Sequence, residues 1–131
     1  MKKIFIVLLV LLMMCLSVGY AQTIEYTNQV TVAWDVVAPI EPTDLITYQV
    51  WTDSVMAGVV MVGETDLLQY TITFIVEGEY IIGVGTKREV VAGDIVYSDI
   101  NWSNVNGVST PDPFVVRYIK PIQEPENLRL Q

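Results

Sequence analysis

Apolar and polar residues alternate with a period of two along most of the chain between Thr23 and Ile119. Val30, Val32, Trp34 and Val36 interleave with Thr31, Ala33 and Asp35, which sends one set of side chains to a buried face and the other to water. The same pattern returns at Ile46, Tyr48 and Val50, at Leu68, Tyr70, Ile72 and Phe74, and at Tyr80, Ile82 and Val84. Each of these stretches predicts a half-buried β-strand. Weaker patterns predict an abbreviated strand over residues 23–26 and a brief edge strand over 59–62, closed by Gly63. They also predict a strand over 95–103, with Ile100 and Trp102 on one face, and an extended run over 114–119. The breaks between them, at 38–44, 53–58, 87–94 and 104–113, are rich in Pro, Gly, Asn and Asp. No stretch after residue 21 keeps a helical period, so the pattern predicts an all-β sandwich or barrel.

The sharpest local signal is residues 74–86, FIVEGEYIIGVGT. Phe74 ends one alternating run, Glu77-Gly78 makes a turn, and Tyr80 opens the next run. A tyrosine just after such a corner can bury its ring and return its hydroxyl to the backbone it has left, forming the tyrosine corner of Greek-key sandwiches. The core expected between two sheets consists of Trp34, Tyr48, Val50, Ile72, Phe74, Tyr80, Ile82, Val84 and Ile100.

In their order and spacing these stretches resemble a fibronectin type III domain. Val30-x-Val32-x-Trp34 is similar to the family's strand B, and Ile46-x-Tyr48-x-Val50 to its strand C. Residues 74–80 stand where the family has Leu-x-Pro-Gly-Thr-x-Tyr, with Tyr80 at the matching distance. Tyr97-Ser98-Asp99 resembles the start of strand G. The resemblance covers residues 23–103. Val76 replaces the usual Pro, the first strand is stunted, and the family does not foresee the residues after Asn104. The resemblance implies a two-sheet Greek-key sandwich, fibronectin type III or immunoglobulin-like, with antiparallel sheets A-B-E and C-C′-F-G. It also implies a non-enzymatic module for protein binding, adhesion or spacing. On that topology Trp51 lies on the outer face of strand C, beside Gly83 and Gly85 of strand F. A large ring lying over bare glycine backbone is a packing device of sheets, so Trp51 is expected to be partly buried there. Stacking on a sugar or a partner is the alternative role.

Residues 1–21 read as a secretory signal peptide. Lys2 and Lys3 precede an apolar run over 4–16, and Gly19 and Ala21 supply small residues for cleavage after Ala21. The run falls short of the roughly 20 residues that a membrane span requires. A lipoprotein attached at Cys15 would need a small residue where Met14 stands. The expected location is therefore secreted, periplasmic or cell-surface. The expected domains are the sandwich over 22–104 and a C-terminal extension over 105–131, comprising an extra strand and a Pro-containing tail. Cys15, the only cysteine, leaves with the leader, so the exported domain relies on packing without disulfides. Loss of Lys2 and Lys3 takes the net charge from −8 to −10, which does not suit nucleic acid or anionic lipid as a partner.

The 131-residue chain has no histidine, which removes Ser-His-Asp and Cys-His catalysis and the usual zinc sites. Two carboxylate pairs remain, Glu77 with Glu79 and Asp94 with Asp99. The first sits on a solvated corner, and a lone small sandwich offers no deep catalytic pocket. Gly83-Val84-Gly85-Thr86-Lys87 lacks both the spacing of a phosphate loop and a following helix. Asp99, Asn101, Asn104 and Asn106, and Asp35, Glu41 and Asp44, are oxygen-rich but meet no EF-hand spacing. No catalytic residue, metal site or cofactor is expected, and the partner is an unidentified protein or glycan. The candidate binding surface is Trp51, Leu128 and Leu130. Residues 121–130, PIQEPENLRL, resemble the opening of a fibronectin type III domain, in which a Pro-rich lead enters strand A through Leu-x-Leu. Leu128 and Leu130 are therefore expected to supplement the short first strand, on their own sandwich or on a neighbour's. A structural subunit that self-associates by strand exchange through this tail is the alternative function. An accessory carbohydrate-binding module is a further one.

Overall fold

The structure is a computed structural model that describes residues 22–91 and 93–122. The expected leader, Leu128 and Leu130 lie outside the described residues. The strands are β1 (Thr23–Tyr26), β2 (Gln29–Ala33), β3 (Leu45–Ser54), β4 (Gly58–Thr65), β5 (Gln69–Thr73), β6 (Gly78–Glu89), β7 (Ile95–Tyr97), β8 (Asn101–Trp102) and β9 (Phe114–Tyr118). They form two sheets, one of seven strands and one in which β2 pairs only with β5. The described residues contain no helix, and so none long and apolar enough to cross a membrane.

The large sheet is built around β6. One edge of β6 pairs antiparallel with β3, from Leu45 opposite Glu89 to Ser54 opposite Tyr80. Its other edge meets β7, β8 and β9 in succession. The run expected as one strand over 95–103 is thus broken into two short pieces. Serine hydroxyls complete the ladder around the break. Ser98 Oγ accepts the Thr86 N–H at 2.8 Å and Ser103 Oγ accepts the Ile82 N–H at 3.0 Å, doing the work of backbone carbonyls. Residues 104–113 leave the sheet, and the Phe114 N–H returns to the Ser103 carbonyl at 2.8 Å. The boundary expected after residue 104 therefore falls inside one sheet, between β8 and β9.

Alternation places Val32, Ile72 and Phe74 of the small sheet against Val50, Ile82 and Val116 of the large one, and these residues form the core. Val50 and Val116 are fully enclosed. Tyr48 is buried, whereas Trp34, Tyr80 and Val84 are only half-buried. At the corner the Phe74 and Tyr80 rings are 4.5 Å apart, and the Tyr80 hydroxyl donates to the Val76 carbonyl at 2.7 Å.

Two expectations are corrected. Ile100 is not in the core. Asn101 pairs with inward-facing Val84 and Trp102 with Gly83, so Ile100 and Trp102 face outward together. A side chain at Gly83 would collide with both of them. The sheet expected as A-B-E is also different, because β1 does not join β2. It lies parallel to β9, with Thr23 opposite Phe114 and Tyr26 opposite Arg117, at the edge of the large sheet. The small sheet is left with two strands.

Candidate functional site

The departure of β1 from β2 leaves an open edge beside a cleft. The Asn28 carbonyl accepts the Phe74 N–H at 2.7 Å, and the Leu68 carbonyl accepts the Trp34 N–H at 3.0 Å. Bonding direction alternates along an antiparallel pair. With Val30 opposite Ile72 and Val32 opposite Tyr70, the even-numbered residues of β2 are the ones that bond β5. The N–H and C=O groups of Thr31 and Ala33 point the other way, where no described strand lies. Backbone groups presented in this manner are a template for another extended chain.

The cleft beside this edge has a volume of about 590 Å³. Val32, Trp34, Tyr48, Ile82, Val84 and Phe114 give it an apolar lining, and Asn101, Ser103 and Thr110 add neutral polar groups. Among the described residues its charged lining is Asp35 and Asp112, both acidic. One wall is the extended segment 34–37, which Tyr48 holds by accepting the Val37 N–H on its hydroxyl at 3.0 Å. The opposite wall is the excursion after β8. There Asn101 donates to the Ser109 carbonyl at 2.9 Å and accepts from Thr110 Oγ1 at 2.8 Å. The Trp34 and Tyr48 rings are 5.4 Å apart. Trp34 Nε1 is buried and has no hydrogen-bond partner among the described residues. A buried indole N–H without an acceptor is costly, and here it belongs to a residue that lines a cleft.

The other sequence candidates lie elsewhere. Trp51 is half-buried on the outer face, opposite Gly83 on one side and Met61 on the other. Its Nε1 lies 3.9 Å from where a Cβ at Gly85 would stand and also lacks a partner among the described residues. Asn101 closes a loop, as described above. Asp44 accepts from Arg88 Nε at 2.6 Å and from the Glu41 N–H at 2.9 Å, and its bond to the guanidinium holds its carboxyl below the ordinary value. Glu79 is paired with Arg117, and Glu77 accepts the Lys120 N–H at 2.6 Å. Among the described residues no three His, Cys, Asp or Glu side chains are grouped to hold a metal ion.

The cleft was not among the sequence candidates, although part of its signal was present. Val32 and Trp34 were assigned to a buried face, and Phe114 to an extended run. That the strand before them leaves β2 uncovered has no local signature. Comparison of the chain with family models, curated proteins and solved structures gave no match to any of them.

Proposed function

We propose that the chain is an exported, non-enzymatic binding module of fibronectin type III character, acting at the cell exterior, that takes up an extended peptide strand along the open edge of β2. The observation that carries this reading is the coincidence of three features at one place. They are the outward backbone groups of Thr31 and Ala33, the apolar cleft beside them, and the orphaned N–H of Trp34. Strand addition gains affinity from main-chain hydrogen bonds and specificity from pockets that receive alternate side chains, and this site offers both. The family character is supported by the pairing of β2 with β5, by the pairing of β3 with β4 and β6, and by the Tyr80 hydroxyl bond to Val76. A sugar-binding role for Trp51 has less support, because its indole nitrogen is turned in against Gly85.

Selection of random displayed peptides against the chain tests the reading. The expected result is enrichment of alternating apolar sequences whose binding slows amide exchange at Thr31 and Ala33. Enriched peptides that leave those two amides unchanged would place recognition elsewhere.

A further inference from the structure

We infer that the strand resident in this cleft is the chain's own segment 124–130, laid parallel to β2 with Leu128 and Leu130 at the cleft. This rests on the strand-binding reading above and names its occupant.

Three observations point to that segment. The first is where the chain stands when it leaves β9. Ile119 and Pro121 line a small hollow together with Tyr26, Thr27 and Asn28, so the chain passes beside the beginning of β2. The second is reach. Six residues separate Ile122 from Leu128, and extended chain covers about 20 Å in that length. Six residues also separate Asn28 from Trp34, and a strand rises about 20 Å over them. A tail running alongside β2 thus brings Leu128 level with Trp34, at the cleft, and Leu130 level with Val36, which lines the same cleft.

The third observation is pattern and charge. A strand there has two choices of face, and a slip of one residue exchanges them. The choice that turns Leu128 and Leu130 into the apolar cleft turns Arg129 to the opposite face, level with Asp35. Asp35 is a charged residue at the rim of the cleft, and Arg129 is the only basic residue after Lys120. Of the four cations among the described residues, Lys87, Arg88 and Arg117 are already held by Glu64, Asp44 and Glu79. Pro125 has no N–H to give a ladder, but it falls before the leucines and leaves the amides of residues 126–130 available. The carbonyls of the docked segment approach β2 along the edge that Thr31 and Ala33 present.

The test uses the full chain. Amide exchange at Thr31 and Ala33 is measured in the unaltered protein, in L128D/L130D, in R129D and in D35R/R129D, with mass followed by light scattering at two concentrations. The expected result is a monomer in which L128D/L130D speeds exchange at both amides by about tenfold or more. R129D should speed it a few-fold, and D35R/R129D should restore it. Unchanged exchange in L128D/L130D overturns the proposal. Protection that grows with concentration alongside a doubled mass also overturns it, because the strand then comes from a second copy. A synthetic peptide of residues 121–131 added to L128D/L130D separates this inference from the reading beneath it. If the peptide slows exchange while the chain's own tail does not, strand binding stands and docking of the tail falls. If neither does, both fall.

Discussion

The two sheets share one core but finish their edges in opposite ways. In the large sheet β6 is bonded along both sides, and where its partner strands break, Ser98 and Ser103 supply hydroxyls to keep its N–H groups satisfied. Ion pairs add to it, with Lys87 on Glu64 at 3.0 Å and Arg88 on Asp44 at 2.6 Å. The small sheet has two strands, and along its β2 edge a hydroxyl serves Gln29, whose N–H donates to Thr27 Oγ1 at 3.1 Å and whose carbonyl accepts from it at 2.8 Å. Its outer face is a neutral ladder in which Thr31 and Thr71 hydroxyls meet at 2.7 Å and the Gln29 amide donates to Thr73 Oγ1 at 3.2 Å. Beyond Gln29, its β2 edge meets no other strand among the described residues. On the strand-binding reading proposed above, the difference separates two tasks. Enclosure around β6 supplies rigidity, and the thinner sheet keeps hydrogen-bonding groups available for a strand.

The contact that ties the sheets together should be the most costly to lose. Phe74→Ala removes a buried ring that sits at the end of the small sheet and against Tyr80, and it should destabilise by about 3–5 kcal/mol. A denaturant midpoint that shifts by less than a quarter of this would mean that the sheets are not joined there. Gly83→Ala probes the large sheet alone. A Cβ there meets Ile100 and Trp102 on the outer face, for a cost of about 1–3 kcal/mol. Gly107→Ala, where a Cβ meets nothing, is the matched control and should stay within about 0.5 kcal/mol of the parent. Equal melting temperatures for the two would remove the outer-face packing from the account.

Tyr80→Phe should cost less, about 0.5–1.5 kcal/mol. Val76 is 55% exposed, so water can reach the carbonyl that the hydroxyl leaves. A loss above that range would mean that the corner is drier than its exposure suggests. The smallest effect is electrostatic. The Lys87 and Arg88 side chains hold the Glu64 and Asp44 carboxyls below their ordinary values of 4.5 and 3.8. A carboxyl with a depressed folded pKa contributes stability that is complete above its unfolded value and disappears as pH falls through the folded one. The stability of the large sheet should therefore decline as pH drops below about 4.5, and Asp44→Asn should flatten part of that decline. An acid limb of unchanged slope in Asp44→Asn would deny the pair a role.

Much of the fold could be read from residue alternation, because a half-buried strand writes its faces into the sequence. Val30, Val32 and Trp34, Val50, and Tyr80 and Ile82 pack in or against the core on the faces that alternation gives them, whereas Val84, expected in the core, is only half-buried. The glycines of β6 do lie under large side chains, but Gly83 is covered by Ile100 and Trp102, and of the expected Trp51 only the indole nitrogen comes near Gly85. What could not be read was pairing between distant segments. Nothing in Thr-Ile-Glu-Tyr states that β1 lies parallel to β9 and not beside β2, because the choice depends on contacts some ninety residues away in the chain. Ile100 was misplaced for a related reason. Its face follows from the register of Asn101 against Val84, which local alternation does not set. The cleft is the sum of these long-range choices, so it became visible only with the strands in place.

The parallel pairing of β1 with β9 also determines how the molecule would bear a load. Thr23 lies beside Phe114 at one end of the pair, while Tyr118 ends the strand at the other. Tension applied through residues 22 and 119 would run along both strands in opposite senses and strain the bonds between them all at once. A hairpin pulled open yields one bond at a time. While this short ladder holds, force passes from one strand directly to the other and bypasses everything folded between residues 27 and 113. Stretching single molecules from those two points should give a distinct rupture peak, and Glu25→Pro, which removes an N–H from β1, should lower it. A smooth extension without a peak would show that the ladder carries no load.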